Sequence, residues 1–354
     1  MNICIIFLSI VSFFACTIFP CSTFMLKKDT SVFVGKNYDW DVESGRIIIN
    51  ERNVGKTAFK VDNPVSWTSR YGSSSFNQYG QDFPIGGMNE KGLVIEALWL
   101  NETTYPEPND TLRRIDNMQW IQYHLDNSAT IEEIIKNDAG LQVTPTSSAA
   151  VHCFAADASG KALVFESVNG IVHHYRPDAV NPPMLTNDPY DKSIRMLQQC
   201  KLFGGDLEVP RGKGSVTRFI TLGIALQQFP EVKTEPVHYA FSVLKDVSLG
   251  GYTKWSIVYD VSRLTVYYKS RSNKKVRYVQ LSRFNLNCDD NVGSLPVINN
   301  LSDNITASFK DFTIKHNRAM VQEAFRNTPF LQDMSDEMIR EIYTYPTEHR
   351  CEAK

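Results

Sequence analysis

The chain has 354 residues, 42% of them hydrophobic and 21% charged, with a formal net charge of -2 at pH 7. This length suits one large domain or two small ones, and the composition is that of a globular chain able to bury a sizeable core. Balanced charge without long basic runs argues against nucleic acid as a partner.

Residues 1–20 differ from the rest. Ile5, Ile6, Phe7, Leu8, Ile10, Val11, Phe13 and Phe14 make an apolar run shorter than the roughly 20 residues a membrane span needs. It has the length of a secretory leader core, although no Lys or Arg precedes it. Pro20 is a poor signal-peptidase residue. We therefore expect export to a secreted or periplasmic location, then loss of a short remnant ending at Pro20, by autoproteolysis or a separate peptidase. An uncleaved anchor and a lipidated Cys16 are the alternatives. No other stretch is apolar enough to span a bilayer, so no stable membrane insertion is expected.

From Cys21 onward, residues 22–27 and 31–36 flank Lys28-Asp29-Thr30 and read as a β-hairpin. Strand-like pieces separated by Asn, Pro and Gly turns follow over 45–61 and 66–80, and "GLVIEALWL" (92–100) reads as a buried strand. Ile115, Met118, Ile121, Gln122 and Leu125 sit at helical spacing, and a second helix is expected over 130–137. Strands return at 150–157, 161–167 and 170–175, with hairpin turns at Ser159-Gly160 and Asn169-Gly170. Helices are expected at 190–202, 215–228 and 236–246, and strands at 254–260, 263–270 and 275–281. A polar tail after 285 becomes helical at 317–325 and 335–343. No repeat or linker interrupts the chain, so residues 21–354 read as one domain of antiparallel strands and helix pairs.

Seven cysteines are present: Cys4, Cys16, Cys21, Cys153, Cys200, Cys288 and Cys351. Loss of the first two leaves five, and an odd count in an exported chain leaves at least one thiol unpaired. Cys21 is the candidate; Cys153 reads as a buried thiol or half of a disulfide. There is no Cys-x-x-Cys, and the rings of His173 and His174 on one strand point to opposite faces. No metal and no cofactor is expected. Gly-x-Ser-x-Gly, His-Glu-x-x-His and phosphate-loop patterns are missing from the sequence.

A cysteine at a new N-terminus supplies two reactive groups. Its thiolate is a strong nucleophile, and its α-amine, with an ordinary pKa of about 7.7–8.0, takes up a proton near neutrality. Such a site needs a carboxylate to hold the amine, a cation to favour the thiolate and donors for the oxyanion. Lys36 and Asp39 in "GKNYDW" lie on the return strand of the first hairpin, which runs back toward Cys21.

"CSTF" followed by "VFVGKNYDW" resembles the start of the choloylglycine hydrolase family, which includes bile salt hydrolases and penicillin V acylases. "GGMNEKGLVIEAL" (86–98), "LTNDP" (185–189) and "SVTRF" (215–219) are similar to three further blocks of the family, in the same order. The resemblance covers Cys21 to about residue 281 and leaves 285–354 as a tail outside it. It implies an α+β fold, the N-terminal nucleophile hydrolase α-β-β-α sandwich of two stacked antiparallel sheets. It also implies that Cys21 is nucleophile and base, that Asp39 binds its amine, that Asn187 donates to the oxyanion, and that Arg218 steadies the charge around Cys21.

Two positions depart. The usual arginine is Lys36, which keeps the charge but loses the planar fork of donors. The second oxyanion-hole position falls on Trp99, where bile salt hydrolases have Asn and penicillin V acylases often Tyr. Trp99 is then a substrate-binding residue and its backbone N–H a possible donor.

Each residue taken alone has a plainer reading. Cys21 could be half of a disulfide. Asp39 and Asn187 could serve turns, Lys36 could be solvated, and Trp99 could be core. Arg218 near a helix start opposes the helix dipole, which favours a functional reason for it.

The expected activity is hydrolysis of linear, non-peptide C–N amide bonds by an exported amidase, penicillin V acylase-like, on a small-molecule substrate with an apolar acyl group. The alternatives are bile salt hydrolysis, acid ceramidase-like or acyl-homoserine lactone acylase activity, and an exported binding protein that keeps the fold. A homo-oligomer is an option, since family members are often tetramers.

Overall fold

The computed structural model describes residues 20–288 and 292–352; the leader, with Cys4 and Cys16, lies outside them. The first hairpin joins Ser22–Lys28 to Ser31–Asp39 through a turn with Asp29 at φ 54°. Its register runs from Lys28 opposite Ser31 to Ser22 opposite Asn37, which brings Asp39 past the end of the first strand, beside Cys21. Gly35 lies opposite Phe24, whose ring would be 2.5 Å from a Cβ there, so only glycine lets that ring lie across the strand.

This hairpin supplies the second and third strands of a seven-stranded sheet. The strand order is Met184–Leu185, Ser22–Lys28, Ser31–Asp39, Thr253–Asp260, Thr265–Ser270, Arg277–Gln280 and Asp303–Asn304. A nine-stranded sheet faces it, ordered Ile171–Tyr175, Ala162–Val168, Val151–Ala156, Val94–Trp99, Pro84–Asn89, Ser73–Asn77, Arg46–Asn50, Gly293–Pro296 and Lys310–Asp311.

Period-two alternation builds the layers. In Val94–Trp99, Val94 and Leu98 enter the core shared with the first sheet, while Ile95 and Ala97 pack with Trp120, Ile121 and Leu125 of the helix Asn117–Asn127. On the far side of the first sheet lie the helices Ser215–Gln228 and Pro236–Asp246. Between the sheets Phe76 meets Trp255 and Tyr268, at ring separations of 5.8 and 5.9 Å. The arrangement is helix, sheet, sheet, helix, as expected. The helix expected over 190–202 is shorter: it spans Tyr190–Gln198, and a separate turn of 3₁₀ helix follows at Lys201–Phe203.

The tail is part of the body. It adds the last two strands of the second sheet, then the helices Ile314–Asn327 and Asp336–Thr344. Val321, Phe325, Leu331, Ile342 and Tyr345 form a cluster with Phe59 and Phe83 of the main body. Two side-chain caps start the helices: Thr313 accepts from the His316 N–H, and Ser335 from the Met338 N–H. A disulfide joins Cys288 to Cys351, leaving Cys21, Cys153 and Cys200 as free thiols.

That disulfide closes a loop with a sequence separation of 63. Loop-closure entropy assigns it about 4 kcal/mol. Replacing both Cys288 and Cys351 by Ser is therefore expected to lower the free energy of unfolding by about that amount, measured by denaturant titration under non-reducing conditions. A loss below about 1 kcal/mol would mean that packing alone holds the tail.

Candidate active site

Cys21 stands at the entrance to the first strand, 2% exposed, its thiol 3.9 Å from the backbone carbonyl of Asp39. The guanidinium of Arg218 reaches it from the first turn of Ser215–Gln228. Nη1 donates to the Cys21 carbonyl and, at 2.5 Å, to Ser22 Oγ. Nη2 donates to Asn187 Oδ1 at 2.9 Å, and Nε to the Lys213 carbonyl at 3.1 Å. One buried cation thus ties the first strand to the loop that carries Asn187.

The Asn187 amide is oriented by these contacts. With Oδ1 on Arg218, Nδ2 faces the Trp99 carbonyl and donates to it at 2.7 Å. The backbone N–H of Asn187 donates to Ser215 Oγ at 2.9 Å. Beneath this loop His152 bridges the Thr186 carbonyl (2.8 Å) and Glu166 (3.2 Å), and Glu166 also accepts from the Tyr190 N–H. The loop is held from both sides, and its Nδ2 retains a second hydrogen for an incoming oxygen.

Asp39 is fully buried. Its Oδ1 accepts from Thr253 Oγ1, whereas Oδ2 has no hydrogen-bond partner among the described residues. Burial raises its pKa to about 6, against the opposing pull of the Thr253 hydrogen bond and of Arg218 and Lys36. An unpaired buried carboxylate oxygen beside Cys21 is a vacant acceptor for a cationic group.

Lys36 is buried, not solvated. Its ammonium donates to the Ala97 carbonyl and lies 3.6 Å from the Glu96 carboxylate, between the two sheets. Glu96 also accepts from the Tyr259 hydroxyl, and burial lifts its pKa to about 7 although Lys36 draws it down. A Cβ on Gly86 would come within 2.2 Å of Glu96, so that glycine makes room for the carboxylate. The Cys21 thiol is pushed up by burial and drawn down by Lys36 and Arg218, with Asp39 opposing them. The arrangement is suited to a sulfur nucleophile whose negative charge is stabilised from two sides.

A cavity opens onto Cys21. Trp40 and Trp99 line it, their rings 5.7 Å apart, and Phe330 from the tail packs 5.2 Å from Trp99. Trp99 is therefore a wall of this cavity, and its carbonyl anchors Asn187.

The structure brings Cys21, Asp39, Asn187 and Arg218 together, with Lys36 one layer deeper and Trp99 at the cavity. Three contributors escaped the sequence reading. Glu96 was visible as a lone carboxylate in an apolar strand, which demands a buried cation. Thr253, the partner of Asp39, carries no sequence signal. The tail residues at the cavity read only as helix. His173 and His174 are apart from the site: His174 contacts Asp138 at 2.5 Å, and His173 stacks on Tyr175. Cys153 is a buried free thiol.

Penicillin V acylase from Pectobacterium atrosepticum is 27% identical over 263 residues, 62% of this chain and 69% of that protein. Among solved structures, penicillin V acylase from Agrobacterium tumefaciens superposes with a TM-score of 0.72 at 25% identity, covering 83% of this chain and 98% of the other. A mutant of conjugated bile acid hydrolase from Clostridium perfringens gives 0.67 at 18% identity, covering 80% and 98%, a likeness of fold. The family of linear amide C–N hydrolases of the choloylglycine hydrolase type matches residues 21–294. With well over half of its length matched around a buried Cys21, Asp39 and Arg218, this chain belongs to the choloylglycine hydrolase family of linear amide C–N hydrolases.

Proposed function

We propose that this enzyme is exported, is cut between Pro20 and Cys21, and uses the freed Cys21 to hydrolyse amides with an apolar acyl group, as a penicillin V acylase does. The observation that carries this reading is the unpaired, buried Oδ2 of Asp39 next to Cys21. Cleavage would create an α-ammonium at that residue, which matches the vacant acceptor. The family match beginning at Cys21 supports the same cut, and the Cys288–Cys351 disulfide supports an oxidising compartment.

In this mechanism the Cys21 amine takes the thiol proton while sulfur attacks the amide carbonyl. Asn187 Nδ2 donates to the oxyanion. The C–N bond breaks as the ammonium returns its proton to the leaving nitrogen. Water, deprotonated by the same amine, then cleaves the thioester and restores the thiol. Arg218 and Lys36 stabilise negative charge on sulfur; Asp39 keeps the amine in place.

Three tests follow from this reading. Intact-mass and N-terminal analysis of active protein is expected to give Cys21 as the first residue, and an active enzyme still carrying Pro20 would rule out the amine as base.

Asp39→Asn is expected to lower turnover of the mature enzyme by about 100-fold or more, and Arg218→Ala likewise, on the scale of lost preorganised electrostatics. Asp39 also has a stability signature. Its folded pKa, about 6, exceeds the ordinary 3.8. Ionisation therefore costs native stability above that window, and the cost vanishes as pH falls through about 6 toward 4. In the uncut Cys21→Ala chain, Asp39→Asn should raise the unfolding free energy near neutral pH by about 2–3 kcal/mol, with no gain below about pH 4. A pH-independent change would assign Asp39 no buried charge.

The apolar cavity with Trp99 at its wall favours phenoxyacetyl and medium-chain acyl amides over glycine- or taurine-conjugated bile acids, whose steroid hydroxyls would lose their water. The ratio of kcat/KM for the two classes measures this. A preference for conjugated bile acids would favour the bile salt alternative and leave the Cys21 chemistry intact.

A further inference from the structure

The cavity has an outer wall that the family match does not contain. Phe325, Phe330, Leu331, Met334, Met338 and Ile342 all line it, and all lie beyond residue 294, where that match ends. We propose that the segment 314–345 sets the acyl-chain length the enzyme accepts, with amides of unbranched hydrocarbon acids as the substrates that report it. This rests on the amidase reading above and adds the substrate class.

The cavity extends away from Cys21. Trp40 and Trp99 stand near the thiol end, with Phe330 against both at 6.2 and 5.2 Å. Beyond them Tyr79 meets Phe325 at 5.8 Å. Farther on, Phe59 and Phe83 lie 5.6 Å apart, packed against Tyr345 at the end of the tail's second helix.

The tyrosine and aspartate groups along the wall are already engaged. The Tyr79 hydroxyl accepts from Trp40 Nε1 at 2.5 Å and pairs with Thr328 Oγ1 at 2.8 Å. Asp116 spends Oδ1 on the start of the helix Asn117–Asn127 and Oδ2 on Thr146. A polar acyl terminus finds few open partners there, whereas a hydrocarbon needs none. Met118, Met334 and Met338 supply flexible side chains that can follow a flexible chain.

The wall is also anchored. The Tyr345 hydroxyl donates to the Thr57 carbonyl at 2.8 Å, Asn317 accepts from the Gln81 N–H at 3.1 Å, and the Cys288–Cys351 disulfide closes the segment. A wall held at both ends can measure length.

The test uses enzyme mature at Cys21 and a series of straight-chain amides of one amine, from butyryl to palmitoyl. kcat/KM is expected to rise about fourfold per added methylene until the cavity is full. Met338→Trp, which narrows the cavity from the tail, should lower the palmitoyl-to-butyryl ratio at least about tenfold, and Leu331→Trp should act the same way if Met338→Trp fails to fold. In the Cys21→Ala protein, quenching of tryptophan fluorescence by fatty acids should show palmitate binding more tightly than butyrate, and Met338→Trp should erase the difference. Turnover of butyryl amide with no dependence on chain length, or an unchanged ratio in folded variants, overturns the length-gauge proposal alone. Absence of turnover across the series counts against the amidase reading, and the fatty-acid binding series then still decides the length gauge.

Discussion

The site depends on the solvation of one buried cation. Arg218 is 1% exposed, and it sits in the first turn of a helix, where the peptide dipoles oppose a positive charge. Left unsatisfied, such a charge would cost several kcal/mol. It is satisfied by the Cys21 carbonyl, Ser22 Oγ, Asn187 Oδ1 and the Lys213 carbonyl. Those acceptors come from three separate stretches of chain. None can move away without exposing the charge to an empty interior, so the need to solvate Arg218 holds the first strand and the Asn187 loop in register. A lysine could not replace it, because an ammonium lacks the planar fork that reaches both in one plane.

The second cation works differently. The Lys36 ammonium is occupied by the Ala97 carbonyl and Glu96. It influences the Cys21 thiol through its field. Its charge is partly offset by Glu96, and Glu96 itself is raised to about 7 by burial. The field at the sulfur therefore depends on the protonation of a carboxylate in the next layer. Asp39 adds the opposite sign at close range. Burial outweighs both cations and holds the thiol above its ordinary value, so a base must take its proton before sulfur can attack.

The legible part of this protein is the part written in local chemistry. The hairpin from residue 22 follows from alternation and a turn at Asp29, and its register alone sets Asp39 beside Cys21. The blocks around Gly86, Asn187 and Arg218 were readable through their resemblance to the family, and the structure supplies the constraint each answers: room for Glu96, a held loop, a buried charge. Pairings across distance were not readable. Lys36 looked like a surface lysine because its partner Glu96 is on another sheet. The parity of cysteines required one free thiol, but only the fold brings Cys288 to Cys351 and leaves Cys153 and Cys200 buried and unpaired. The tail helices were visible as helices, yet what an apolar helix face covers is set by tertiary packing.

That tail separates two tasks that one short segment could not combine. The residues around the thiol are fixed by buried charge, where a small displacement is expensive. The outer cavity wall is fixed by apolar contacts and by a disulfide, where side chains can change size at modest cost. The two meet at Phe330, which packs on Trp40 and Trp99. Trp40 directly follows Asp39, and the Trp99 carbonyl holds Asn187. A bulky change at Phe330 thus reaches the electrostatic centre through both tryptophans. Met338 and Ile342 line the same cavity from the tail's second helix. The depth of a residue in that wall decides whether its substitution alters selectivity alone or chemistry as well.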